Sequence, residues 1–351
     1  MDISSKIYLP GHLGLVGSAI NRTLSNRGYN NLILKSIDEL DLTRQTQTEE
    51  FLGYEKPDYV FLAAAKVGGI LANSKYQADF IYENLQIASN VIHASFKSGV
   101  KKLLNLGSSC IYPKFAPQPM KETDLLTGIL EPTNEPYAIA KIAAIKLCRY
   151  FNEQYGTDYI SVMPTNLYGF NDNFNLETSH VLPALIRKIE LARLLATGKY
   201  DNIIEDINKR PLGYGILINE FQDINSIKNT FLKIGISAEK VELWGTGNVY
   251  REFLHADDMA EACVFLMENY SYKDLGEFIN IGSGTDITIK DLAIKVKELI
   301  GYDGAISFNP SNPEGTPKKL LDVSKLFSLG WEPKISLGAG LSQVINNYRN
   351  A

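Results

Sequence analysis

Cysteine is scarce in this chain and badly spaced for bridging. Cys110, Cys148 and Cys263 are odd in number, far apart, and form no Cys-x-x-Cys pair. Histidine is rarer than aromatic residues, with four copies and no His-x-x-x-His. A disulfide framework and a structural metal site are therefore excluded as organising features, and a reducing, cytoplasmic setting is expected. Long runs of one charge are missing too. The net charge is −5 without a basic tract, which argues against nucleic acid as a partner. No apolar run is long enough to span a bilayer, and Met1 to Ser5 lacks the cationic start and apolar core of a secretory leader. No membrane association is expected.

What remains is ordinary globular composition: 351 residues, 45% hydrophobic and 21% charged, enough for two domains around sizeable cores. Short apolar runs at 6–10, 31–35, 58–63, 102–106 and 159–163 read as strands. Helical spacing fills the intervals, most clearly up to about Gly28, over about Lys75 to Lys97, and from Glu135 to Tyr155. This alternation predicts an α/β fold, a Rossmann-type doubly wound parallel sheet whose ligands sit beyond the carboxyl ends of the strands.

The first strand runs into Gly11, Gly14 and Gly17, and Leu15 and Val16 begin a helix there. Strand, glycine turn and helix fit the dinucleotide fingerprint. Gly11 permits the tight turn, Gly14 the approach of backbone to a pyrophosphate, and Gly17 close packing of helix on strand, with the helix N-terminus facing the phosphates. At the second strand's end the expected acid is replaced by Lys35. A cation without an acid leans toward a ribose 2′-phosphate, hence NADPH; the alternative is a solvated lysine. Asp41 and Leu42 follow where adenine would lie. Ala64 after the third strand, Leu106 and Gly107 at the end of the fourth, and Pro164, Asn166 and Leu167 after the fifth all fall on the ligand edge.

Pro136 suits the first turn of a helix, so Tyr137 and Lys141 lie one turn apart on one face. A neighbouring ammonium favours the phenolate, and the Tyr137 pKa is expected to fall toward neutrality. A surface Tyr and a solvated Lys would be the plainer account of an isolated pair. Ser108 and Cys110, leaving the fourth strand at the same edge, argue for the chemical one.

Six runs carry a resemblance: Ala63–Gly69 (AAAKVGG), Gly107–Pro113 (GSSCIYP), Glu131–Lys141 (EPTNEPYAIAK), Pro164–Gly169 (PTNLYG), Arg251–His255 (REFLH) and Gly315–Asp322 (GTPKKLLD). Together they make the chain resemble the GDP-L-fucose synthase family of extended short-chain dehydrogenases/reductases. The resemblance implies an NADPH-dependent enzyme that epimerises C3 and C5 of GDP-4-keto-6-deoxy-mannose and reduces C4. It implies roles as well: Tyr137 as proton donor to the C4 oxygen, Lys141 on the nicotinamide ribose, and Ser108 on the carbonyl oxygen. Cys110 and His180 would be base and acid of the epimerisation, with His180 also near the cofactor. Lys188, Trp244, Arg251 and Glu314 fall on substrate positions. A homodimer is implied in the same way. Related dehydratases carry a Glu where Cys110 stands, so the thiol speaks against elimination of water.

Three departures from the family pattern stand out. Leu13 and Ile37 replace arginines expected at the 2′-phosphate, and Val249-Tyr250 precedes Arg251 where Pro-Met is usual. The segment 195–240 is longer than in short members; its helical periodicity over 203–234 argues against disorder, and it reads as a lid or a surface excursion. The expected division is a nucleotide-binding domain of 1–164 plus 251–284 and a smaller substrate domain of 165–250 plus 285–351. Two other functions stay open: C4 reduction of a GDP-4-keto-6-deoxy-heptose with partial or no epimerisation, and a non-catalytic cofactor sensor, for which Ser108, Tyr137 and Lys141 would be superfluous. His12 and His93 read as structural, and His255 receives no chemistry.

Overall fold

A computed structural model describes residues 1–217, 221, 223–312 and 315–351. Its central sheet is fully parallel and contains β1 (Ile7–Tyr8), β2 (Leu32–Ile33), β3 (Tyr59–Leu62), β4 (Lys102–Leu106), β5 (Tyr159–Pro164) and β9 (Ile279–Ile281), in the order β2-β1-β3-β4-β5-β9. The strands are continuous apolar runs because helices cover both faces, leaving no solvent side for an alternating polar residue. The order reverses between β1 and β3, and ligands bind at such a switch point. The glycine turn after β1 and Ala64 after β3 lie there.

Helix Leu15–Asn26 starts at the glycine turn, and helix Ala256–Asn269 packs against it. Arg22 and Arg27 at this contact pair with Asp257, Glu261 and Glu268. On the other face, helices Gln45–Glu55, Gln77–Ser98 and Glu135–Tyr155 lie side by side. Helix Gln77–Ser98 is the one expected over about Lys75 to Lys97; a short helix that the residues did not announce, Ile70–Lys75, precedes it and is set off at Tyr76, where the backbone leaves helical values (φ −114°, ψ 41°).

The second half builds smaller sheets. β8 (Tyr250–His255) pairs antiparallel with β10 (Asp286–Thr288), and parallel with β12 (Lys318–Lys319) and β6 (Asn166–Tyr168). β7 (Lys240–Trp244) pairs in parallel with β11 (Ala305–Asn309). Near the C-terminus, Leu326 and Trp331 return to the core of the large sheet, among Met259, Ile279 and Ile281.

The segment 195–240 is no surface excursion. It contains helices Tyr200–Lys209 and Ile224–Lys233, and Ile203, Ile207, Leu212, Ile227 and Phe231 are buried in the core of the second half. Arg187, wholly buried on helix Val181–Ala196, binds Asp206 of the segment at 2.8 Å and donates to the carbonyls of Phe174 and Pro211. Tyr348 of the last helix, Leu337–Asn350, donates its hydroxyl to the same Asp206. Among the described residues no helix is long and apolar enough to cross a membrane.

Glu252, fully buried in β8, joins these parts. Its Oε1 accepts from the amides of Ser283 (2.6 Å) and Gly284 (2.8 Å), just past β9, and its Oε2 accepts from the amide of Leu321 at 3.0 Å, just past β12. Its carbonyl accepts from Asn166 Nδ2 at 2.8 Å, next to β5. Glu252→Gln turns one acceptor into a donor facing the Leu321 amide, and a buried donor left unpaired costs about 1–3 kcal/mol. Urea unfolding should show a loss of that order, with Gln-for-Glu at exposed Glu50 as the unaffected comparison; equal stability of the two variants would remove Glu252 from this role.

Candidate active site

Local backbone constraints build the cofactor edge. Gly11 has a φ of +85°, and a Cβ there would lie 2.6 Å from the Ala64 amide nitrogen. A Cβ on Gly17 would lie 2.0 Å from the Gly11 carbonyl oxygen, whereas one on Gly14 would meet nothing closer than 3.5 Å. The turn is thus pressed against β3 on one side and open at Gly14 on the other. Gly14 is the N-cap of helix Leu15–Asn26 and brings no side chain to cap it, so the first amides of the helix, at Leu15, Val16 and Gly17, are left uncapped by a side chain. That cradle fits a pyrophosphate.

At the residues expected near adenosine, Asp41 is tied to Thr43 (2.7 Å), and buried Leu42 offers its carbonyl to Asn90 Nδ2 at 2.9 Å. Lys35 is not without an acid, contrary to the sequence reading: Glu39, one turn ahead, meets its ammonium at 2.9 Å. Glu39 also accepts from the Ser36 amide, and these bonds hold its carboxyl down at about 2. Leu13 and Ile37 stand exposed nearby.

The reactive groups gather at the ends of β4 and β5. Gly107 has no room for a side chain, because a Cβ would overlap Met163. Ser108 then caps a 3-10 turn, Ser109–Ile111, its Oγ accepting from the Cys110 amide at 3.4 Å. Helix Glu135–Tyr155 presents Tyr137 and Lys141 to this turn. Lys141 is buried, donates to the Leu106 carbonyl at 2.7 Å, and lies 5.6 Å from the centre of the Tyr137 ring. Phe80 meets that ring edge-on at 6.3 Å.

Electrostatics in this cluster correct one expectation. The Tyr137 phenol is raised, not lowered: burial is the main cause and Cys110 adds to it. Burial also disfavours charge on the partner, bringing the Lys141 ammonium down to about 8. Spacing on a helix showed the two groups as neighbours but could not show that both are withdrawn from water, and desolvation outweighs the pairing. The Cys110 thiol is raised by burial, against the opposing pull of Lys319, the Ser108 hydroxyl and Lys141.

His180 reaches the same cleft from the other half. It is the N-cap of helix Val181–Ala196, and its ring is lowered by desolvation and by the charge of Lys319. The preceding loop is fixed by Gly69, whose amide donates to the Thr178 carbonyl at 2.8 Å and whose Cβ would sit 2.2 Å from the Ser179 carbonyl oxygen. Across the sheet junction, Thr165 donates to the Ile281 carbonyl (3.0 Å), and Asn166 to that of Glu252, shaping the backbone from Pro164 to Leu167.

The residues expected at the substrate divide. Lys188 is buried, brought down to about 8 by desolvation, and donates to the Glu242 carbonyl at 3.2 Å. Trp244, 38% exposed at the end of β7, shares a cavity of about 600 Å³ with it. Arg251 lies on β8, paired in register with Lys319 of β12. Glu314 lies outside the described residues. His255 has a structural place, its Nδ1 accepting from the Asp257 amide at 3.2 Å to cap helix Ala256–Asn269.

Lys319 is the group that sequence reasoning passed over. It stood inside the Gly315–Asp322 run without a role, yet its charge acts on Cys110, His180 and Arg251 at once. The signal was a lysine next to a second lysine in a short run; only the pairing of β12 with β8 tells which of the two faces the cleft.

Comparison with known proteins agrees with this geometry. The sequence profile of the NAD dependent epimerase/dehydratase family matches residues 7–214 and 220–282. GDP-L-fucose synthase 1 of Arabidopsis thaliana is 53% identical over 347 residues, 99% of this chain and 94% of that protein. Among solved structures, a GDP-6-OMe-4-keto-L-xylo-heptose reductase from C. jejuni is 42% identical with a TM-score of 0.93, covering 100% of this chain and 99% of its own. MlghC, a GDP-mannoheptose C4 reductase from Campylobacter jejuni with NADP bound, is 43% identical with a TM-score of 0.87 over 99% of each chain. The chain belongs to the NAD dependent epimerase/dehydratase family and, within it, to the GDP-L-fucose synthase group of sequences.

Proposed function

We propose that this chain is an NADPH-dependent epimerase/reductase that converts GDP-4-keto-6-deoxy-mannose to GDP-L-fucose. The observation that carries the proposal is the convergence of Ser108, Cys110, Tyr137 and Lys141 on one cleft beside an open glycine cradle. Gly11, Gly14 and Gly17, the amides of Leu15 and Val16, and the strand ends at Ala64, Leu106, Gly107, Pro164, Asn166 and Leu167 would hold the cofactor, with Lys35, Asp41 and Leu42 at its adenosine end. Bound NADPH supplies a hydride to C4 of the sugar.

The side chains handle protons and charge. A raised phenol keeps Tyr137 protonated at neutral pH, the form needed to donate to the C4 oxygen as it gains charge. Ser108 polarises the same oxygen, which also stabilises the enolate formed when a proton leaves C3 or C5. Cys110 removes that proton, with Lys319 stabilising its thiolate, and His180 returns a proton from the opposite face. Lys188, Trp244, Arg251 and Glu314 hold the nucleotide and diphosphate. Cytoplasmic location and a homodimer belong to this reading; the buried free cysteines and the exposed rings of Tyr82, Tyr150 and Tyr155 on two adjacent helices support them.

A second reading, reduction of a GDP-4-keto-heptose, is favoured by one observation: Tyr250, exposed beside Arg251 with Lys318 5.4 Å from its ring centre, alters the sugar side of the site, and the C. jejuni structures named above are heptose reductases.

Lys141→Met should stabilise the cofactor-free protein. The drop from 10.5 to about 8 corresponds to about 3 kcal/mol, reduced by the lost bond to Leu106. Because the folded pKa is the lower one, the ammonium's cost is fully present below pH 8 and fades as pH approaches 10.5. Thermal unfolding at pH 7 and pH 10 should show the variant's advantage shrinking; a constant offset would mean that Lys141 is not held in its charged form against burial.

Tyr137→Phe should lower NADPH oxidation with the 4-keto sugar by about 10²–10⁴-fold, the usual contribution of a general acid, with cofactor affinity nearly unchanged. Turnover close to the parent's would dismiss Tyr137 as the acid.

In D₂O, product of the parent enzyme should carry deuterium at C3 and C5 by mass spectrometry. Cys110→Ser should nearly abolish that label while hydride transfer continues to the unepimerised alcohol, since a hydroxyl is a far poorer base than a thiol of ordinary pKa about 8.5. Parent product without deuterium would reduce the proposal to a plain C4-reductase, tested next with the heptose substrate.

A further inference from the structure

The 600 Å³ cavity beside Trp244 has two walls of different origin. One is β7, where Glu242 and Trp244, two residues apart, face the same side, together with Lys188 from the neighbouring helix. The other comes from the 195–240 segment, through Tyr214 and Lys233. The sequence assigned that segment no role.

We propose that two stretches of the 195–240 segment, Tyr214–Ile216 and Lys233–Gly235, form the outer wall of the nucleotide-diphosphate pocket, with Tyr214 and Lys233 as contacts that set affinity for GDP. This rests on the reading of the substrate as a GDP-sugar. The chemistry of the lining suits such a ligand. Trp244 and Tyr214, both lining the cavity and partly exposed, offer flat faces to a purine. Lys188 and Lys233 bring two ammonium groups from opposite walls, matching a ligand with two phosphates.

The wall is held in place at both ends. Tyr214 has a φ of +57°, a left-handed backbone that a bulky residue rarely adopts. Its amide donates to Glu177 Oε2 at 2.7 Å and its hydroxyl to the Leu176 carbonyl at 3.0 Å, which fixes the ring beside the cavity. At the far end, Lys233 closes helix Ile224–Lys233, and the chain turns at Gly235, whose carbonyl accepts from the Glu242 amide at 2.8 Å. A Cβ on Gly235 would meet the Glu242 carbonyl oxygen at 2.9 Å, so the segment is pressed onto the strand that carries Trp244. Inside, Ile227 and Phe231 anchor the helix in the core.

The test is a calorimetric titration of the NADPH-loaded full chain with GDP. Lys233→Ala should weaken GDP about tenfold, the worth of one charge-assisted hydrogen bond. Tyr214→Asn, which tolerates the left-handed backbone, should weaken it as well. Lys228→Ala, an exposed cation on the same helix outside the cavity, should leave it unchanged. With the sugar nucleotide, both wall variants should raise KM and spare kcat, the mark of binding lost equally in ground and transition states. The proposal is overturned if GDP binds Lys233→Ala and Tyr214→Asn as tightly as the parent, or if the parent does not bind GDP. A chain whose wall variants lose GDP while the parent oxidises NADPH with no GDP-4-keto sugar would keep this wall and lose the catalytic reading.

Discussion

A buried carboxylate, Glu252, ties β8 to the ends of β9 and β12. Glu252 carries its charge into a place without solvent and takes amide bonds from two chain segments that are remote in sequence. Each bond to a charged acceptor is stronger than one between neutral groups, and burial makes any alternative arrangement costly. Around this point the end of β9, the end of β12 and the start of β6 acquire fixed relative positions. Arg251 and Lys319, adjacent to these anchors, inherit their place in the cleft from it.

The cleft that results is rich in buried cations. Lys141, Lys188 and Lys319 are all lowered by desolvation. Such a site disfavours itself while empty and is relieved by an anionic guest, so the binding of phosphate and the folding of the protein are coupled. Neutral Tyr137 and the thiol of Cys110 sit within this field. Burial holds the proton on both groups, but on the thiol alone Lys319, the Ser108 hydroxyl and Lys141 pull the other way, so the two adjacent groups differ in how firmly they keep it.

Much of this was legible in the residues. β4 and helix Glu135–Tyr155 have the expected limits, because each has clear local periodicity and a turn or cap at its ends. The glycine turn was legible because only glycine tolerates such contacts. The raised phenol of Tyr137 and the position of Lys319 were not, because they depend on the depth of a cleft and the register of a two-residue strand, of which local spacing carries no record. The Glu39 partner of Lys35 is different: it stands only four residues away and was legible, but was passed over. The segment 195–240 was legible as helical but not as core, since its own apolar stripe does not say what it packs against.

That segment has a further consequence through Arg187. A guanidinium with no exposed surface is satisfied by Asp206, which in turn holds Tyr348 at the end of the chain. Cation, carboxylate and phenol, together with Arg210, which also pairs with Asp206 and lies over the Tyr348 ring, form a network whose members come from three stretches of sequence. Excising the segment would strand the cation; trimming the last helix would unsaturate the carboxylate. Removing the segment or the last helix alone therefore leaves a buried polar group short of a partner, so a shortened version of this protein has to redesign both ends of the network together.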